Sequence, residues 1–148
     1  MSKTWIVIAN DAGARLYQTE DGGKEILPLK KIPHPEGRKK DGEINSDRAG
    51  RSFDSVGGGR HAVGASVGTH ELEENRFAKE LVDYLEKELQ QHHFDHLALT
   101  APPHLLGDLR KRFSETLKKS VSAELAKDFP EYMNDHELFP HLRSGLKL

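Results

Sequence analysis

The most unusual spacing in this sequence belongs to its glycines. Ser52-Phe53-Asp54-Ser55-Val56-Gly57-Gly58-Gly59-Arg60-His61-Ala62 sets three consecutive glycines beside an arginine and a histidine. Glycine lets the backbone approach a ligand closely and turn successive N–H groups toward an anion. Arg48, Arg51, Arg60 and His61 surround that backbone with positive charge. The chemistry such a set supports is contact with an anionic partner, the phosphates of RNA being one example. Known nucleotide loops do not fit. Gly59 and Gly64 have the G-x4-G spacing, but Ala65 stands where a P-loop requires lysine. No G-x-G-x-x-G follows a strand pattern. The alternative reading of the same composition is a flexible linker.

Other chemistries have weaker patterns. Ser55, His61 and Asp54 assemble a nucleophile, base and acid on paper, but Ser55 is not set in the G-x-S-x-G of a nucleophile elbow. His92 and His96 are four apart, with His93 and Asp95 beside them. A metal site there would need further ligands such as His61, His70 or His104, and no H-E-x-x-H spacing occurs. Solvated histidines at a helix end account for the cluster, so neither metal nor cofactor is expected. Asp11 follows the first strand, Asp54 sits in the glycine loop, and Asp95 and Asp108 flank the later strand; magnesium-binding carboxylates occur at such strand ends, although Asp11 is more often a turn residue. Arg110-Lys111-Arg112 and Lys118-Lys119 make one helix basic. That stretch is either an ordinary exposed face or a surface for RNA phosphates acting with the loop arginines.

These residues must be positioned by a small scaffold. With 148 residues, one domain with its own core is expected. Basic residues number 22 and acidic ones 24, which argues against a globally basic nucleic-acid binder but leaves room for a local patch. The chain has no cysteine, so thiolate chemistry and disulfides are excluded. Without an apolar run near the ~18 residues of a membrane span, and without a signal-peptide pattern at Met1 to Trp5, the expected setting is the cytoplasm, away from membranes.

Trp5-Ile6-Val7-Ile8-Ala9 is too continuously apolar for a one-sided strand and predicts a buried central one. Asn10 to Gly13 supplies a turn, Ala14 to Gln18 alternates as a second strand, and Glu25 to Lys30 forms a third. Ile32-Pro33-His34-Pro35 ends this antiparallel meander. From Arg38 to Gly68 the pattern vanishes: those 31 residues hold seven of the chain's 13 glycines and only eight apolar residues, and they predict a mobile loop. Thr69 then caps a helix carrying Leu72, Phe77, Ala78, Leu81, Val82, Leu85 and Leu89 on one face. Phe94 to Ala101 predicts a second buried strand, and Leu105, Leu106, Leu109, Phe113 and Leu117 a second helix. Val121, Ala123 and Leu125 alternate as a last strand, and a final helix lies within Asn134 to Arg143, interrupted or kinked at Pro140. The predicted order is β-β-β-long loop-α-β-α-β-α, a single α/β domain with a mixed sheet whose later strands pair in parallel.

Several motifs in this order resemble a known family. They are Trp5-Ile6-Val7-Ile8-Ala9-Asn10-Asp11-Ala12-Gly13-Ala14-Arg15-Leu16-Tyr17, Phe53-Asp54-Ser55, Gly59-Arg60-His61, the helix start from Glu74 to Leu81, and Leu99-Thr100-Ala101-Pro102-Pro103-His104-Leu105-Leu106-Gly107-Asp108-Leu109-Arg110. Together they resemble the bacterial "protein required for attachment to host cells" family over essentially the whole chain. That family is more remotely similar to the middle domain of eukaryotic and archaeal class-one translation release factors. The resemblance implies an α/β fold in which a long Gly-rich loop leads into a long helix. In release factors this loop carries Gly-Gly-Gln and promotes peptidyl-tRNA hydrolysis; here Gly58 and Gly59 match the glycines and Arg60 takes the glutamine position. The expected function is therefore a non-enzymatic contact with RNA or the ribosome through Arg48, Arg51, Gly57, Gly58, Gly59, Arg60 and His61. Two alternatives stay open: ester or phosphodiester hydrolysis through the same loop, and an adaptor in attachment that binds protein partners.

Overall fold

The structure is a computed structural model that describes residues 2–20, 24–34 and 75–148. Five strands form one sheet: β1 (Thr4–Asn10), β2 (Gly13–Glu20), β3 (Glu25–Pro33), β4 (His96–Ala101) and β5 (Val121–Ala126). Their spatial order is β3-β2-β1-β4-β5. The hairpins β1–β2 and β2–β3 are antiparallel, whereas β1–β4 and β4–β5 are parallel. Helix α1 covers residues 75–90, α2 is Pro103–Arg112, α3 is Glu115–Ser120 and α4 is Asp135–Leu146.

The unbroken apolar run of β1 has a direct cause. Trp5, Val7 and Ala9 face one core, while Ile6 and Ile8 face the other, and all five are buried. A central strand covered on both faces has no side to give to water. The first core packs Phe77, Ala78, Leu81, Val82 and Leu85 of α1 with Leu105, Leu106 and Leu109 of α2 and Leu117 of α3. The second core is smaller: Leu138, Leu142 and Leu146 of α4 and Phe129 close over Ile6, Ile8, Tyr17 and Ala98. Helices thus cover both faces of a mixed sheet, the α/β architecture expected.

Two helical details differ from the sequence reading. The helix predicted through Leu105 to Leu117 is two helices, because Phe113 and Ser114 both adopt extended backbone. Phe113 is still buried, so the four-residue spacing of Leu109, Phe113 and Leu117 persists across the break. Ser114 caps α3 by accepting from Leu117 N (3.1 Å), and Glu86 of α1 receives both Ser114 N (2.8 Å) and Ser114 Oγ (2.7 Å). The last helix is not interrupted at Pro140 and runs on to Leu146. A helix-interior proline costs about 3 kcal/mol, but burying three leucines returns about 1.5–3 kcal/mol each. A reciprocal capping box between Asn134 and Glu137 secures the start of that helix.

Candidate functional site

All seven residues of the predicted contact set, Arg48, Arg51, Gly57, Gly58, Gly59, Arg60 and His61, lie outside the described residues. So do Asp54, Ser55 and His70, and so does Gly64-Ala65-Ser66-Val67-Gly68, whose G-x-S-x-G spacing the set built on Ser55 passes over. The structure describes the base from which this part of the chain departs and to which it returns.

That base is the carboxyl end of β1. Asn10 Oδ1 accepts from Ala12 N (2.8 Å) and closes the turn, while Asn10 Nδ2 donates to Phe129 O (2.8 Å). Gly13 has φ +139°, and a Cβ there would collide with the carbonyl oxygen of Ile32 and lie 2.9 Å from Pro33 Cα. Only glycine fits. Arg15 forks its guanidinium onto Met133 O (2.8 Å) and Pro130 O (3.2 Å). The run from Asn10 to Arg15 therefore ties the hairpin to the segment ahead of α4. The side chains of Asn10 and Arg15 are occupied by structure.

His34 completes the base, and sequence reasoning passed over it. Its N–H donates to Ala12 O (2.9 Å), and Nδ1 lies 3.2 Å from Asp11 O. A carbonyl can only accept, so Nδ1 carries a proton aimed at Asp11 O. Nε2 is buried and meets no hydrogen-bond partner among the described residues. The imidazole stacks on Phe77 of α1 with ring centroids 4.6 Å apart and planes 7° from parallel. The two flanks of residues 35–74 are thereby held against each other. A histidine between two prolines, just where a strand pattern ends, was the available signal.

Among the described residues, the other candidate clusters do not assemble. Helix α1 ends at residue 90, and His92 takes the left-handed conformation (φ 60°), so His92 and His96 share no helical face. His93 Nδ1 pairs with Glu88 (2.8 Å), and Asp95 accepts from Lys3 N (2.9 Å). Asp108 lies 3.6 Å from His104 on α2. Among the described residues no three His, Asp or Glu side chains converge as metal ligands. Burial, then the hydrogen bond to Asp135 (2.7 Å), pushes the Tyr17 phenol above its ordinary range. Burial, followed by the nearby Glu88, also raises Tyr84. The Tyr17 hydroxyl ties β2 to the first turn of α4.

The basic residues Arg110, Lys111, Arg112, Lys118 and Lys119 are all exposed. They cluster where α2 ends, through α3, to where β5 begins opposite Leu97. Leu97 is near the start of β4, so this cluster sits at the amino end of the parallel strands. The His34–Phe77 base sits at the carboxyl end, and the two lie at opposite ends of the sheet.

A family model described as "Protein required for attachment to host cells" matches residues 5–142. The chain belongs to that family. No curated protein matches this family member in sequence. Among solved structures, an archaeal translation termination factor, aRF1, superposes with a TM-score of 0.52 at 11% identity, covering 99% of this chain and 35% of that one. A second structure, described only as an archaeal protein, gives 0.48 at 11% identity over 95% of this chain and 33% of the other. The host-attachment chain thus spans about a third of the length of these structures and shares the fold of the release-factor domain. Among the described residues no helix is long and apolar enough to cross a membrane.

Proposed function

We infer that this host-attachment family member is a non-enzymatic, cytoplasmic protein that faces RNA of the translation machinery. The contact would be made by Arg48, Arg51, Gly57, Gly58, Gly59, Arg60 and His61. The observation that carries the reading is the His34–Phe77 stack. It brings His34 and Phe77 together at one end of the sheet, and residues 35–74 between them contain eight glycines and four arginines. Backbone N–H groups freed of side chains, flanked by guanidinium groups, suit phosphate oxygens. The fold shared with a translation termination factor supports the same partner class.

Ribosome co-sedimentation at low salt tests this. The wild-type chain should pellet with ribosomes, and Arg48→Ala/Arg51→Ala/Arg60→Ala should stay in the supernatant. Added salt should release the wild type, as counterion-linked binding requires. Equal pelleting of the triple variant would refute the assignment.

A further inference from the structure

The sheet has two edges, and they are built differently. Edge strand β3 carries Pro28 and Pro33, which lack an N–H, and Lys30 and Lys31, which oppose association. Edge strand β5, Val-Ser-Ala-Glu-Leu-Ala, has no proline and no lysine. Its outer row of backbone N–H and C=O groups meets no other strand among the described residues. The register with β4 shifts between Leu97 and Ala98, so Val121 faces the α1–α3 layer while Ala123 and Leu125 face α4. Ala123 to Ala126 is the regular stretch available for pairing.

A cleft of about 430 Å³ runs beside this edge, against the corner where α2 gives way to α3. Its lining includes Arg110, Phe113, Lys118, Val121 and Glu124. Glu124 of β5 already receives Arg110 across the cleft (Nε–Oε1 3.1 Å). Lys118 is held only by Glu115 at 3.6 Å, and Lys111, Arg112 and Lys119 form no ion pair among the described residues. A strand added outside β5 would lie about 4.8 Å farther out and present its helix-facing side chains to Arg110 and Lys118 of the lining.

We propose that the β5 edge and the α2–α3 cleft form a groove for an extended acidic polypeptide segment, which joins the sheet as a sixth strand. The unpaired backbone row selects a polypeptide, since strand addition is made by main-chain hydrogen bonds. Arg110 and Lys118 in the lining, with Lys111, Arg112 and Lys119 exposed in the last turns of the same two helices, select acidic side chains. A second copy of this chain is disfavoured by the same charges, because pairing two β5 edges would bring both cation clusters together on one side of a joined sheet. The groove is at the far end of the sheet from the His34–Phe77 base, so it does not depend on the RNA reading.

The test uses the full chain, labelled for amide NMR, and a capped decapeptide alternating glutamate with valine or threonine. Amides of residues 121–126 should shift on titration. The same peptide N-methylated at four consecutive central residues, which blocks both of its edges, should bind about tenfold more weakly or worse, having lost main-chain bonds of about 1 kcal/mol each. Lys118→Glu should weaken the unmodified peptide about fivefold, as loss and reversal of an exposed charge contact does. Equal binding of the N-methylated peptide overturns strand addition. Oligouridine shifting Arg110 and Lys118 where the peptide does not would assign the cleft to nucleic acid. Dimerisation with protected β5 amides would assign the edge to a second copy, and either result overturns the proposal.

Discussion

Two glycines show how differently the same residue type is used. Gly13 has φ +139° with backbone atoms of Ile32, Pro33 and His34 crowded where a side chain would begin. Gly107 lies inside α2, and a Cβ there would meet nothing within 4 Å. Gly13→Ala is therefore expected to destabilise by about 2 kcal/mol or more, through forced left-handed backbone and collision. Gly107→Ala should stabilise by about 0.4–1 kcal/mol, because alanine restricts the unfolded chain without strain in the helix. Urea unfolding followed by circular dichroism gives both signs, and a destabilising Gly107→Ala would contradict the open space at that position. Much of this was invisible in the sequence. The turn at Asn10 to Gly13 was legible as turn chemistry, but Arg15 and His34 act through carbonyls far along the chain, or through a ring on another helix. No local pattern encodes such partners.

At the level of elements, legibility followed periodicity. Strand β1 was readable because its unbroken apolar run has one explanation, burial on both faces, and α1 because its apolar stripe repeats over several turns. The break between α2 and α3 was hidden by the same rule. Leu109, Phe113 and Leu117 keep helical spacing because all three reach one core, although the backbone between them is extended. The overlooked signals were the basic last turn Arg110-Lys111-Arg112 and the capping Ser114 followed by Glu115. Ser114 is the joint between three helices, since it caps α3 and binds Glu86 of α1 by two hydrogen bonds. Ser114→Ala should cost about 1–2 kcal/mol, the usual loss for a helix cap. Glu86→Ala should cost less, because its two bonds lie in an exposed setting and water can replace the carboxylate as partner of Ser114 N and Oγ. A double-mutant cycle should give a coupling of at least about 0.5 kcal/mol, as for any directly bonded pair. Strict additivity in thermal or urea unfolding would show that the joint does not hold the corner.

For the whole molecule, the decisive feature is a division between scaffold and segment. Among the described residues, both cores draw their side chains from residues 5–34 and 77–148. The His34–Phe77 stack brings the flanks of residues 35–74 together at the rim of the first core. The composition of Arg38 to Gly68, with eight apolar residues in 31, also offers little to a core. Replacing residues 38–68 by a linker of about eight Gly/Ser residues should therefore leave a folded, cooperative domain. Shortening the closed loop should add about 1 kcal/mol of stability, since closure entropy grows with the logarithm of length. The shortened chain should lose ribosome co-sedimentation, because Arg48, Arg51 and Arg60 are gone. It should keep its response to the acidic strand peptide, because β5 and the α2–α3 corner lie at the other end of the sheet. Thermal unfolding by circular dichroism, co-sedimentation and peptide titration on this one variant separate the three roles. A chain that no longer folds would place residues 38–68 in the scaffold, and simultaneous loss of peptide and ribosome binding from a folded chain would unite the two surfaces into one.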